Sequence, residues 1–308
     1  MMPSNDRALA LAEGYLSRGA ASQALELVKL FLARNPEHAR AHALLARALI
    51  HQRRWHAAQH EASLALSLAP EDAYCHSVMA AAFVTRRNLG AARDHVEQAI
   101  ALEPDNASLL VQRAHIELVD GRIARALASA HEALALDPDD PDVLCCCADT
   151  ELAAGNLAAA REAAERALRA VPEHTDSLVA MGNVLLLSGD VAGAREHALW
   201  ALNSAPDNDG ALRLLVAVKT RQSWGLGLWW RANAWLARSP GRAILVLVGA
   251  FLVQRALTIR AIYENQPMTK EIVSFAWLGL CIYSWVAPAL FQRALKRELK
   301  EVRLRSDF

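Results

Sequence analysis

Residues 72–105 read DAYCHSVMAAAFVTRRNLGAARDHVEQAIALEPD. Apolar residues recur there at helical spacing in two sets: Met79, Ala80 and Phe83, then Ala92, Val96, Ala99 and Ile100. The spacing predicts two antiparallel helices. Pro104 closes the unit, because proline cannot continue a helix.

The same unit recurs on both sides. Pro36, Pro70, Pro104, Pro138, Pro172 and Pro206 are 34 residues apart without a slip. Ala24, Ala58, Ala92, Ala126, Ala160 and Ala194 keep that period, each twelve residues before its proline. Ala65, Ala99, Ala133, Ala167 and Ala201 stand five before theirs, and only Phe31 breaks the column. Gly19, Gly121, Gly155 and Gly189 mark the turn inside four units. Small residues at fixed places let helices approach closely. One helix pair cannot bury its apolar face alone, so the units must stack.

This pattern resembles the tetratricopeptide repeat, in six units over residues 5–208. The resemblance implies an all-α solenoid, a right-handed superhelix of helix hairpins with a concave groove. The aromatic residue usual near the start of the first helix is absent; His42, His76, Leu110, Leu144 and Leu178 stand there. After Pro206, "DNDGALRLLVAVKTRQ" predicts a capping helix over 209–222, with Asp207 or Asp209 as its cap and Lys219 and Arg221 near its C-terminal dipole.

In the family, the second, fifth, ninth and twelfth residues of each unit line the groove. The second positions here are Asp6, Arg40, Tyr74, Ser108, Asp142 and Asp176; the ninth are Glu13, Arg47, Ala81, His115, Asp149 and Asn183. The candidate groove residues are Arg40, Arg47, Tyr74, His115, Asp142, Asp149, Asp176 and Asn183. The groove is mixed at its N-terminal end and acidic toward Asp142, Asp149 and Asp176. The Lys/Asn pattern that clamps acidic chaperone tails is missing, so a basic or amphipathic protein segment, peptide or helix, is the compatible partner.

Composition changes where the repeats end. Residues 1–208 hold 18 Lys+Arg and 27 Asp+Glu, a balance of −9; residues 209–308 hold 15 and 6, a balance of +9. Six of the eight Trp follow position 220. Trp224, Trp229, Trp230 and Trp235, interleaved with Arg231, Arg238 and Arg242, predict an interfacial helix over 224–240. Ile272–Phe291 is twenty residues without a charge, long enough to span about 30 Å of hydrocarbon. Ala243–Tyr263 has similar length but contains Gln254, Arg255 and Arg260. A central Arg costs about 2.5–3.5 kcal/mol, and each Leu, Ile, Val or Phe returns about 0.3–0.6. Eleven such residues between Ile244 and Ile262 roughly balance the arginines. The expectation is a two-helix membrane hairpin over 242–292, with Arg255 as an intramembrane polar group that snorkels or pairs with another membrane protein. A shallow, re-entrant hairpin is the rival.

Arg231, Arg238 and Arg242 precede the pair, and a basic tail, 293–308, follows it. The positive-inside rule then puts both flanks, and with them the repeats, in the cytoplasm. The N-terminus carries no secretory signal. "LWWRANAWLAR", "RAIYENQP" and "WVAPALF" also resemble the tail of certain bacterial tetratricopeptide proteins, with Gln266 intruding between Asn265 and Pro267. That resemblance implies a membrane-anchored repeat protein of a bacterial inner membrane, multi-pass, with lipid as a further partner.

No phosphate loop, nucleophile elbow or zinc signature is present. His56 and His60 have ligand spacing beside Glu61 but lack a third ligand, and read as exposed helix residues. Cys145, Cys146 and Cys147 point in three directions around a helix, Cys147 to the core and Cys145 to the groove, and read as small apolar filler. "LDPDDPDVL" lacks the Gly and distal Glu of a calcium loop and reads as an inter-repeat turn with helix caps. The sequence therefore points away from an enzyme. It implies no metal or cofactor and no nucleic-acid partner. The leading reading is a membrane-anchored adaptor that holds a protein partner in its groove. The alternative is an accessory subunit of a membrane enzyme or transporter, docked through the hairpin.

Overall fold

The structure is a computed structural model that describes residues 5–17, 19–206, 208–222, 240–263, 268, 271–275, 277–279 and 282. Two compact units are present, Met1–Leu212 and Arg213–Phe308.

The first unit is six helix hairpins: α1 Asn5–Ser17 with α2 Ala21–Leu32, α3 Ala39–His51 with α4 Trp55–Leu68, α5 Ala73–Thr85 with α6 Leu89–Leu102, α7 Ala107–Val119 with α8 Ile123–Leu136, α9 Pro141–Ala154 with α10 Leu157–Ala170, and α11 Thr175–Ser188 with α12 Val191–Ser204. Helix α13, Asp209–Gln222, follows and begins in this unit. Its start is capped by Asn208, whose side chain accepts from the Ala211 N–H at 2.8 Å; Asp209 is the first helical residue, and Asp207 lies outside the described residues.

Both alanine columns lie on the second helices and are fully buried throughout, so those helices pack closely against the first helices on either side. Caps fix the entry of the first helices. Asp72 accepts from Cys75 N at 3.0 Å, and Asp140 accepts from Asp142 N and Val143 N at 2.8 and 2.9 Å, with Pro141 at the first helical position. The "LDPDDPDVL" stretch is thus the inter-repeat turn that its composition predicts.

Two structural features are not legible in the sequence. The first lies in the turn inside each hairpin. Gly19, Gly121, Gly155 and Gly189 have φ of 75°, 76°, 86° and 95°, and the same column holds Arg53 at 59° and Arg87 at 61°. The stacking therefore imposes a left-handed residue on every unit, glycine or not. An L side chain there costs about 1–2 kcal/mol, partly offset because glycine is freer when unfolded. Arg87→Gly should therefore stabilise the protein by about 0.5–1 kcal/mol and raise Tm by about 1–4 °C in a thermal melt. An unchanged or lower Tm would contradict this.

The second concerns the missing aromatics. His42 and His76 fill their place by hydrogen bonding: Nε2 of each donates to the carbonyl of Pro36 or Pro70, at 2.7 and 2.9 Å. Nδ1 of His42 lies 2.7 Å from Glu61, and Nδ1 of His76 lies 3.1 Å from Nδ1 of His95. Each imidazole ties its repeat to the turn that closes the repeat before it.

Successive first helices touch one another: α1 with α3, α3 with α5, α5 with α7, α7 with α9, and α9 with α11. Among the described residues, the second helices of neighbouring repeats do not approach each other in this way. The layer whose members touch is the shorter one, so α1, α3, α5, α7, α9 and α11 form the inner wall of the curve.

In the second unit, helix α14 spans Pro240–Tyr263. Val248, Phe251, Leu252, Val253, Leu257 and Ile259 are exposed on it, and so is Arg255. Thr258 is buried and donates to the Gln254 carbonyl at 2.8 Å. Among the described residues no helix is long and apolar enough to cross a membrane. The expected pair of spans is therefore not shown. In the first segment Gln254, Arg255 and Arg260 interrupt the apolar run; most of Ile272–Phe291 lies outside the described residues. Trp224, Trp229, Trp230 and Trp235 and the tail 293–308 also lie outside them.

Candidate functional site

Every second or ninth position falls on a first helix, and two clusters form on the inner wall. At the N-terminal end Arg40 on α3 donates from Nε and Nη2 to Glu13 on α1, at 3.1 and 2.8 Å. Tyr74 on α5 lies beneath both arginines, its ring centre 5.0 Å from the Arg40 guanidinium and 5.8 Å from that of Arg47. Arg47 donates to the Tyr74 hydroxyl at 3.0 Å. Burial raises the Tyr74 pKa, and the bond to Glu13 raises that of Arg40. Burial, and then the charge of Arg47, lowers that of His51 nearby. The predicted trio Arg40, Arg47 and Tyr74 is one packed group.

At the other end α7, α9 and α11 bring together His115, Asp142, Asp149 and Asp176. His174, the residue before α11, joins them: its Nε2 lies 3.3 Å from Asp142 Oδ1. Nδ1 of His174 lies 2.8 Å from the fully buried Ser177 hydroxyl, which also lies 3.3 Å from the Cys145 sulfur. Asn208 donates to Asp176 at 3.3 Å. The hydrogen bond from His174 holds Asp142 below the usual carboxylate range and raises His174 in return. Burial, and then the charge of Asp176, pushes Asp149 up to about 6. Loss of hydration lowers the pKa of His115 despite the nearby Asp176 and Asp142. Among the described residues no Lys or Arg pairs with Asp142, Asp149 or Asp176.

The inner wall therefore carries two characters: arginines already satisfied by Glu13 and Tyr74 at one end, and at the other carboxylates with which, among the described residues, no Lys or Arg pairs. Asn183, two turns beyond Asp176 on α11, is half-buried. Sequence reasoning missed His174. The available signal was its place, two residues before a groove aspartate and one unit on from Asp140.

The remaining candidates separate from the groove. Cys145 is buried beneath Ser177 rather than open to the groove, and Cys146 and Cys147 are buried too. Burial raises all three thiols, Cys145 to about 12 and Cys147 to about 11, which leaves them protonated and unreactive. His56 and His60 are exposed, and Glu61 turns away from them to His42.

No curated protein matches the chain. Residues 15–82 match one family profile described as a tetratricopeptide repeat, and residues 78–141 and 148–209 match a second. Among solved structures the chain is similar to a thermophilic TPR protein of Thermus thermophilus, at 25% identity and TM-score 0.55, covering 59% of this chain and 100% of that one. It is also similar to a tetratricopeptide repeat protein of Parabacteroides merdae, at 14% identity and TM-score 0.57, covering 70% and 84%. PilW, a widely conserved type IV pilus biogenesis factor, matches at 19% identity and TM-score 0.51, covering 70% and 100%. The last two likenesses are of fold alone. With repeat profiles over most of residues 15–209, the chain belongs to the tetratricopeptide-repeat family of protein-interaction scaffolds.

Proposed function

We propose that the chain is a non-enzymatic adaptor whose groove takes a protein segment with Lys or Arg at the α9–α11 end. The observation that carries this is the half-buried, cation-free carboxylate of Asp149 among Asp142 and Asp176. A cationic side chain laid along α7, α9 and α11 neutralises charge that the wall leaves uncompensated, and the satisfied arginines at the other end oppose the reverse orientation.

The C-terminal third holds this adaptor at the cytoplasmic face of a bacterial inner membrane. Supporting this are the exposed apolar side chains of α14, an uncommon display for a helix in water, and the uncharged run Ile272–Phe291. Tethering raises the effective concentration of partner and groove even where the groove itself binds weakly.

One experiment addresses both parts. The full chain and two charge-reversed variants, Asp149→Lys and Arg47→Glu, are purified from carbonate-washed membranes in mild detergent with their bound proteins. The expected result is a membrane-retained chain whose partner is lost from Asp149→Lys by at least about tenfold. A bound set identical in all three chains would sink the groove reading, and release of the chain by carbonate would sink the tether.

A further inference from the structure

We propose that Asp142, His174 and Asp176 form a binding site for a divalent cation of the zinc type, independent of whether the groove takes a peptide. One carboxylate oxygen from each aspartate and one imidazole nitrogen lie within 4.8 Å of one another. The separation of His174 Nε2 and Asp142 Oδ1, 3.3 Å, is compatible with the edge of a tetrahedron whose ligands stand about 2.0–2.2 Å from its centre, an edge of about 3.3–3.6 Å. A mixed set of one imidazole and two carboxylates suits Zn²⁺ better than Ca²⁺ or Mg²⁺, which favour oxygen alone.

The outer shell supports the same reading. A ligating histidine normally has its other ring nitrogen held by a fixed partner, and here the fully buried Ser177 hydroxyl holds Nδ1 at 2.8 Å. In the metal-binding tautomer Nδ1–H of His174 donates to Ser177 Oγ, and the Ser177 hydroxyl in turn donates to the Cys145 sulfur, a chain that both short contacts allow. Nε2, which faces Asp142, then offers its lone pair to the metal while Nδ1 keeps its proton. Asn208 steadies Asp176 from outside the set.

The second, independent observation is the charge balance of the surroundings. Asp142, Asp149 and Asp176 occupy one stretch of the inner wall, and among the described residues no Lys or Arg pairs with any of them. A concave wall lined by one sign of charge concentrates counter-ions. Three protein donors leave at least one coordination position for water or for an incoming side chain. The sequence alone conceals the site, because its ligands come from different repeats and follow no compact zinc spacing.

The test uses the full chain in mild detergent, stripped with a chelator and then titrated with zinc chloride by calorimetry and with Co²⁺ by visible absorption. The expected result is one saturable ion per chain and a Co²⁺ band of tetrahedral intensity. His174→Gln and Asp176→Asn should each weaken binding by at least about tenfold, while the double variant His56→Ala, His60→Ala should bind as the parent does. Asp176 is exposed, so its variant carries the test even where His174→Gln disturbs the helix start. Absence of saturable binding, equal affinity in the parent and Asp176→Asn, or loss only in the His56/His60 variant would overturn the proposal.

Discussion

Leu144→Ala should destabilise the repeat unit by about 3 kcal/mol and lower its Tm by about 6–12 °C. Leu144 is fully buried on α9, in a cluster with Ala148, Ala160, Ala164, Ala167, Ala180 and Val184. Its buried neighbours are mostly alanines, too short to fill the space that the leucine vacates, and the longer Leu134, Leu152, Leu157 and Met181 pack at the edge of the cluster. The cavity is closed only in part, which puts the loss near the middle of the usual range of about 2–5 kcal/mol. Helix α9 also stands between its neighbours α7 and α11 in the inner wall. In a solenoid stability is held by nearest-neighbour interfaces, so damage at α9 weakens the coupling between the two halves. Urea unfolding followed by circular dichroism should show a broadened transition as well as a lower midpoint. A loss below about 1 kcal/mol with unchanged steepness would show that the wall collapses onto the gap.

Asp149→Asn should stabilise the protein at pH 8 by about 1–2 kcal/mol and leave it unchanged at pH 4. The carboxyl is pushed from 3.8 up to about 6 in the folded chain, by burial and then by Asp176. A raised carboxylate pKa means that folding opposes ionisation. The penalty is therefore absent below the unfolded value, grows as pH rises from about 4, and is complete above about 6. Two pKa units correspond to at most about 3 kcal/mol, and partial access of water reduces the figure. Asparagine keeps the shape and removes the charge. Melts of both chains across pH 4–8, with a chelator present, should converge on the acid side. Parallel curves would show that Asp149 carries no such penalty. The same variant should lose partner affinity, since the charge that destabilises the wall is the charge offered to a cation.

Much of this can be read directly from the chain because the period is strict in three columns. Proline every 34 residues locates each hairpin, and the alanine columns locate the contacts between helices. The polarity of the groove is also legible, since Arg40, Arg47, Asp142, Asp149 and Asp176 sit at fixed places in the unit. What escapes reading depends on distances between units. Nothing in Arg53 or Arg87 announces a left-handed residue; only the glycines in the same column do so. His42 and His76 read as poor substitutes for an aromatic, and only the positions of Pro36 and Pro70 show what they bond instead. His174 lacks any local motif because its partners Asp142 and Ser177 lie on successive first helices. The last hundred residues follow no period, so hydropathy is the only guide to them.

Contact between successive first helices, without matching contact between the second helices, makes the coil asymmetric in its stiffness. The inner rank behaves as a nearly incompressible spine, and the outer rank is free to fan. Tension along the axis is then taken up by many small changes in spread between hairpins rather than by rupture of any one. The unit should act as a soft spring whose rest length is set by the contacts within its inner rank, and bulk added there would lengthen it.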